Sequence, residues 1–363
     1  MKLIYLIFCV ILLIGTSITH AKPKKISMDG FIIVEDVSNF SGGIKNGSVF
    51  NGVLHSIVNY NFLNSPSNSS IHIGVLAITY NQSQTLYTGA SQQVSNMTAQ
   101  REIRLAELNY CQNLSDWATL RAGIMDIREY LNVYDIPKEV INSGFGTNRV
   151  MVNSTAVATY PYPGFGAVLA TTNDKYGISV AVFQGNPQHQ STVFNDGVFL
   201  LEEVYWNTDL NIARQPTLFL KTGVWEYYQP DPSIGYSNIG MYFMGQIVAY
   251  TEKQQQIYMT TQIGYGNNHA NIVPYSLNAS ITGTGFIPSR NNDKLSFGYS
   301  QIWLRNKSPE IVLEINYNFY IRDYLYVKPD LQYIVKPNGN LPNAFAGILR
   351  LIYNINGHLL AKH

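Results

Sequence analysis

Along residues 309–335, PEIVLEINYNFYIRDYLYVKPDLQYIV, apolar and polar side chains alternate one by one. Ile311, Leu313, Ile315, Tyr317 and Phe319 share one face, and Glu310, Glu314, Asn316 and Asn318 share the other. After a break at IRDY the alternation resumes, with Leu325, Val327, Leu331 and Tyr333 against Lys328, Asp330 and Gln332. A period of two is that of a β-strand, whose successive side chains point to opposite faces. LSFGYSQIW (295–303) and QIYMTTQIGYG (256–266) repeat it, and YGISVAVFQ (176–184) and LFLKTGVWEYY (218–228) do so less cleanly. The last run, AFAGILRLIY (344–353), sets Phe345, Leu349, Leu351 and Tyr353 opposite Arg350.

These runs are about 9 to 11 residues long, the length a tilted strand needs to cross a bilayer. Strands of globular sheets are usually nearer 5 or 6 residues. The polar faces hold Ser, Gly, Gln, Asn, Glu, Lys and Arg, which suits water and not a sandwich core. IRDY is a tight turn, whereas VKPNGNLPNA (335–344) and YGNNHANIVPYS (265–276) are long and rich in Asn, Pro and Gly. Short turns alternating with long loops fit a barrel with a periplasmic and an external side. The pattern therefore predicts an all-β fold, a transmembrane antiparallel barrel with short periplasmic turns and long external loops.

Other segments deviate from this pattern. Residues 126–146 carry a charge cluster and predict a long loop with one or two short helices, able to fold into the lumen. MTAQREIRLAELNY (97–110) reads as an amphipathic helix or as a strand from about Ile103. Residues 22–41 are weakly patterned, SPSNSS (65–70) is a turn, and 354–363 form a C-terminal extension. Residues 1–21 read as a cleaved signal peptide: Lys2, an apolar core from Leu3 to Ile14, and a small-residue site at Thr19-x-Ala21. The remainder, 22–363, is expected to form a single barrel domain in a bacterial outer membrane.

Composition narrows the chemistry. Charged residues make up 13% of the 363, with a formal net charge of +1, and no basic stripe marks a nucleic-acid partner. The 26 Tyr against 4 Trp suit strands with one apolar and one wet face. Cys9 falls in the apolar leader, so Cys111 stands alone and neither a disulfide nor a cysteine-based metal site can form. The histidines show no ligand spacing, GxSxG is absent, and the clearest strands carry no histidine, so no catalytic residue, metal or cofactor is assigned. Two alternatives stay open: a barrel that displays loops for adhesion or binding, and a barrel enzyme such as a lipase.

The chain resembles the carbohydrate-selective outer-membrane porins of the OprB type, from roughly Gly42 to Tyr353. Its most specific segment is the opening one, with Glu314, Pro329, Asp330, Leu331, Gln332, Tyr333, Ile334, Pro337 and Gly339 at matching positions. LRAGIMDI (120–127), NSGFG (142–146), YPYPGFGAVL (160–169), VFQGNP (182–187), VFLLEEVYW (198–206), GMYFMGQIVAY (240–250) and GFIPSRNNDKLSFGYS (285–300) follow in the family's order. The resemblance implies sixteen strands and passive passage of small sugars. It also implies outer-membrane lipid as surroundings and a monomer or homotrimer.

Parity on the strands then selects pore-lining candidates. Glu310, Glu314, Asn316, Asn318, Lys328, Asp330, Gln332 and Arg350 oppose the apolar face. A Lys or Arg facing lipid near the midplane would cost about 2–4 kcal/mol, so these side chains are expected inside. Glu107, Arg121, Glu203, Lys221 and Gln246 are further candidates, with Trp225 able to stack on a sugar ring. Asp126, Arg128 and Glu129 on the long loop are expected to help set the constriction.

Overall fold

The computed structural model describes residues 25–62, 69–79, 85–131, 139–171, 175–188, 194–210, 218–229, 238–267 and 271–357. The leader expected at 1–21, positions 132–138 of the long loop and 358–363 of the extension lie outside the described residues. Strands β1 (Ile26–Ser41), β2 (Gly47–Asn61), β3 (Ser70–Ile78), β4 (Glu102–Ser115), β5 (Ala118–Met125) and β6 (Gly164–Thr171) come first. Next are β7 (Tyr176–Gln184), β8 (Val198–Thr208), β9 (Leu218–Tyr228), β10 (Asn238–Glu252) and β11 (Gln255–Gly266). The chain finishes with β12 (Tyr275–Thr284), β13 (Lys294–Trp303), β14 (Glu310–Arg322), β15 (Leu325–Val335) and β16 (Ala344–Gly357). Among the described residues two short α-helices, α1 (Thr85–Thr88) and α2 (Arg149–Ser154), belong to the connections, together with short 3-10 turns. Among the described residues no helix is long and apolar enough to cross a membrane.

The sixteen strands pair in chain order, and β1 pairs with β16, so the sheet closes on itself without an edge. Closure matters in lipid, where an unpaired edge would leave backbone N–H and C=O groups without partners. Alternation sorts the two faces. On β14, Leu313 is 46% exposed and the neighbouring Glu314 only 3%. Outward aromatics gather where β11, β12 and β13 approach their long connections, Tyr265 against Tyr275 at 5.5 Å and Tyr275 against Trp303 at 6.4 Å. Turns at 116–117, 253–254 and 323–324 mark the opposite end.

Two weakly patterned stretches turn out to be strand. Residues 26–41 form β1, and 354–357, expected as an extension, complete β16, where Gly357 stands opposite Met28. The period of two fails in β1 because its inward face is not wet. Val37 packs on Ala90 and Val94, and Ile32 and Ile33 are both buried. The segment that could be helix or strand is strand from Glu102.

The interior is far from empty. The connection from β5 to β6 brings Met125, Ile127, Leu131, Val150 and Met151 against Phe183, Phe199, Leu201, Trp225, Tyr242 and Met244. One arc of the barrel therefore has an apolar core of its own, and inward positions of β7–β10 are large and apolar to fill it. Outside, carboxylates interrupt the apolar surface, Asp36 between Phe50 and Leu349 among them. Glu226 stands beside Leu200 and Ile239, and Glu202 stands between Val180 and Val224.

Candidate functional site

Two connections cross the barrel interior and dock on the inward face of β13–β16. The first, described over 85–101, lays its main chain on Glu310. Ser91 N and Asn338 N donate to Oε2 at 2.8 and 2.6 Å, and Gln92 N donates to Oε1 at 2.7 Å. The second, described over 126–131 and 139–163, does the same on Glu314, where Ile141 N and Asn142 N donate at 2.6 and 2.8 Å. Carboxylates are well suited to this task because they accept at both oxygens and take charge-assisted bonds from amides. The connections also pair with each other, Asn96 N to Ile141 O and Ser143 N to Gln93 O, both at 2.9 Å.

The remaining candidates on this wall serve the same docking. Gln332 donates to Val94 O at 2.8 Å and to Asp330, and it accepts from Asn142 Nδ2 at 2.8 Å. Lys328 donates to the Glu139 carbonyl and carboxylate at 2.9 and 2.7 Å, while Asn316 and Asn318 donate to the same residue. Lys294 reaches Glu139 from the other side at 2.7 Å. Although burial alone would raise it, these two lysines hold the Glu139 carboxyl below its ordinary value. Arg350, 3% exposed, donates to Glu35 at 2.7 Å and to Ser95 and Asn96. Small residues complete the seat. A methyl group on Gly298 would stand 2.5 Å from the Phe145 ring, and one on Gly264 would stand 2.5 Å from the Asn148 amide.

Across the interior, β3–β5 carry a second cluster. Glu107 accepts from Asn109 at 2.8 Å, and Arg121 donates to Asn109 at 2.8 Å while lying 4.4 Å over the Tyr130 ring. Asp126 caps the short helix Ile127–Glu129, binds Arg128 at 2.7 Å and accepts from Tyr160 N at 2.8 Å. Arg104 lies 4.5 Å over Tyr162, and Arg128 lies 5.4 Å over Tyr160. Glu129 is the exposed member of the group. Desolvation by the surrounding wall, with the Asp126 and Glu107 charges beside it, pushes its carboxyl up to about 7.

The third group sits on the packed arc. Glu203 is buried and accepts from the Tyr242 hydroxyl at 2.7 Å, Gln246 is buried, and Lys221 is half-buried on the same inward face. Trp225 also points inward but is 0% exposed and stacked on Phe199, so a sugar ring cannot reach it as the structure stands. The expectation of a stacking surface is corrected: the pattern gives the face of Trp225, and the connection that covers it comes from elsewhere in the chain. Below the docked connections, toward the tight turns, a chamber of about 650 Å³ remains. It is lined by Lys294, Asn318, Tyr320, Tyr326, Lys328 and Arg350, with Asn96 and Glu139–Ile141 above.

Glu35, Glu139, Arg104, Tyr130, Tyr160 and Tyr162 are site residues that sequence reasoning missed. The acidic pair Glu35-Asp36 interrupting the apolar stretch FIIVEDV was the available signal for Glu35. Strands β2 and β3 likewise add two inward histidines, His55 and His72. His55 lies in a small pocket with Asp126, Arg128 and Tyr160.

A closed, even-numbered antiparallel barrel with an apolar exterior, polar inward faces and in-folded connections has the architecture of the outer-membrane porin class. Within that class, residues 208–356, which hold β9–β16, match the family described as carbohydrate-selective porin, OprB family. No curated protein sequence matches the chain. The barrel is similar to the high-pH structure of Pseudomonas putida OprB, with TM-score 0.81 and 15% identity, covering 91% of this chain and 94% of that one. The low-pH structure of the same protein gives TM-score 0.60 at 13% identity, covering 91% and 93%. A triple mutant of Rhodopseudomonas blastica porin gives 0.56 at 7% identity, covering 91% and 100%. The family match covers β9–β16, and the likeness to the solved porins shows the fold of the whole barrel.

Proposed function

We propose that this chain carries small carbohydrates and similar hydrophilic solutes across an outer membrane by passive diffusion, with the tight turns on the periplasmic side. The observation that carries the reading is the polar chamber of about 650 Å³ beneath the docked connections, within a barrel matching the carbohydrate-selective porin family over β9–β16. Lys294, Asn318, Tyr320 and Tyr326 offer donors and acceptors that can exchange with sugar hydroxyls. The paired charges of Glu139 with Lys294 and Lys328 give a local field at the chamber. On the opposite wall the half-exposed Arg121 and Arg128, and the exposed Glu129, supply multidentate partners for adjacent hydroxyls. Binding of this kind exchanges one hydrogen bond for another, so a solute is held weakly enough to leave.

Liposome swelling tests this directly. Vesicles holding the folded barrel should swell in isotonic monosaccharide at a rate set by protein content. Vesicles with a verified heat-modifiable barrel that admit neither sugar nor ions would end the reading.

A further inference from the structure

The channel proposed above needs a fixed aperture, and the side chains that fix it are a separate question from those a solute touches. Four residues apart on one face of β14, Glu310 and Glu314 each spend both carboxylate oxygens on main-chain amides of an in-folded connection. Each connection thereby gains a seat independent of its own side chains. The two seats also bring the connections into mutual register, because Asn96 and Ser143 then bond across to Ile141 and Gln93.

We propose that Glu310 and Glu314 are positioning residues that set the size limit of the channel, acting through the connections they hold and not by contact with the solute. The inference rests on the diffusion reading and extends it to the origin of the cut-off. A carboxylate is required at each position. Glutamine has the same shape, but its NH₂ would face a backbone N–H where an acceptor stood, leaving a buried donor unpaired. Aspartate keeps the charge but withdraws it by one methylene.

The test compares sugar flux into vesicles for a monosaccharide and a trisaccharide, with heat-dependent gel mobility confirming the barrel. Glu310→Gln and Glu314→Gln should each raise the trisaccharide-to-monosaccharide ratio severalfold, and the double variant should raise it further. Glu314→Asp should fall between wild type and Glu314→Gln. Gly298→Ala provides a second route, because its methyl group would meet the Phe145 ring at 2.5 Å and lift the connection while Glu310 and Glu314 themselves are unchanged. It should raise the ratio too. Tyr242→Phe, which removes a buried hydrogen bond on the far arc, should leave the ratio at the wild-type value. Variants that fold and retain the wild-type ratio overturn the proposal while the diffusion reading stands. A folded wild-type barrel that passes no sugar removes both.

Discussion

Replacing Glu35 by alanine exposes how the barrel is closed. Glu35 and Arg350 stand directly opposite each other on β1 and β16, 2.7 Å apart and 0% and 3% exposed. The guanidinium keeps Ser95 Oγ and Asn96 Oδ1 as neutral acceptors at 2.9 and 3.1 Å, but the carboxylate it pairs with is gone. Asn51, which donates to Glu35 at 2.8 Å, loses that acceptor as well. Removing one member of a buried ion pair typically costs about 3–5 kcal/mol, because the other charge is left desolvated. Replacing both members by methionine avoids the orphaned charge and should return most of that loss. Equilibrium unfolding in urea, with the protein refolded into vesicles and followed by heat-dependent mobility, measures both quantities. Added salt should change neither much, since a pair this buried is poorly screened. A single-variant loss no larger than about 1 kcal/mol, the level of an exposed pair, refutes the argument. So does a double variant less stable than the single one.

Glu139→Ala should destabilise by a similar mechanism, because Lys328, 4% exposed, loses its carboxylate; adding Lys328→Met should recover stability in the same urea titration. Glu129, with its carboxyl raised to about 7, should add negative charge to the lumen as pH rises from 6 to 8. The reversal potential in a salt gradient should shift toward cation preference over that window, and Glu129→Gln should abolish the shift. The sign for stability follows the same proton. The protonated form is favoured in the folded state, so this contribution is present below the ordinary glutamate value and is lost as pH passes about 7. On the outer wall, Glu202→Leu should raise the urea midpoint in vesicles by removing a carboxylate from the lipid-facing surface beside Val180 and Val224. An unchanged or lowered midpoint would show that this face meets something other than hydrocarbon.

The apolar outward face was legible in the sequence because the outward positions of β13, β14 and β15 share one kind of surroundings and alternate strictly with the inward ones. The inward parity of Glu310, Glu314, Lys328, Asp330, Gln332 and Arg350 was legible for the same reason. What meets them was not. Their partners include main-chain amides and carbonyls of Ser91, Gln92, Val94, Ile141 and Asn142, and a backbone group leaves no mark on the residue type that carries it. β1 escaped notice where its inward face packs on residues from the first connection, so neither face is wet and the period of two disappears. Trp225 shows the limit from the other side: parity puts it inside, and only the path of residues 126–163 decides that it is covered.

The seam has a consequence for assembly. Glu35 and Arg350 are 315 positions apart, so β1 can meet β16 only after nearly the whole chain has been made and laid out. Contacts of such separation form late, because loop closure must be met before they return anything. The two in-folded connections lie within the ring that this last pairing completes, and both are tied to β14–β16 near the seam. An open sheet that zipped before they were seated would have to thread them in through a finished mouth. Seam variants should therefore accumulate an intermediate in which 91–96 and 139–145 are already protected from hydrogen exchange while β1 is not. On this order the room is filled before the wall is closed.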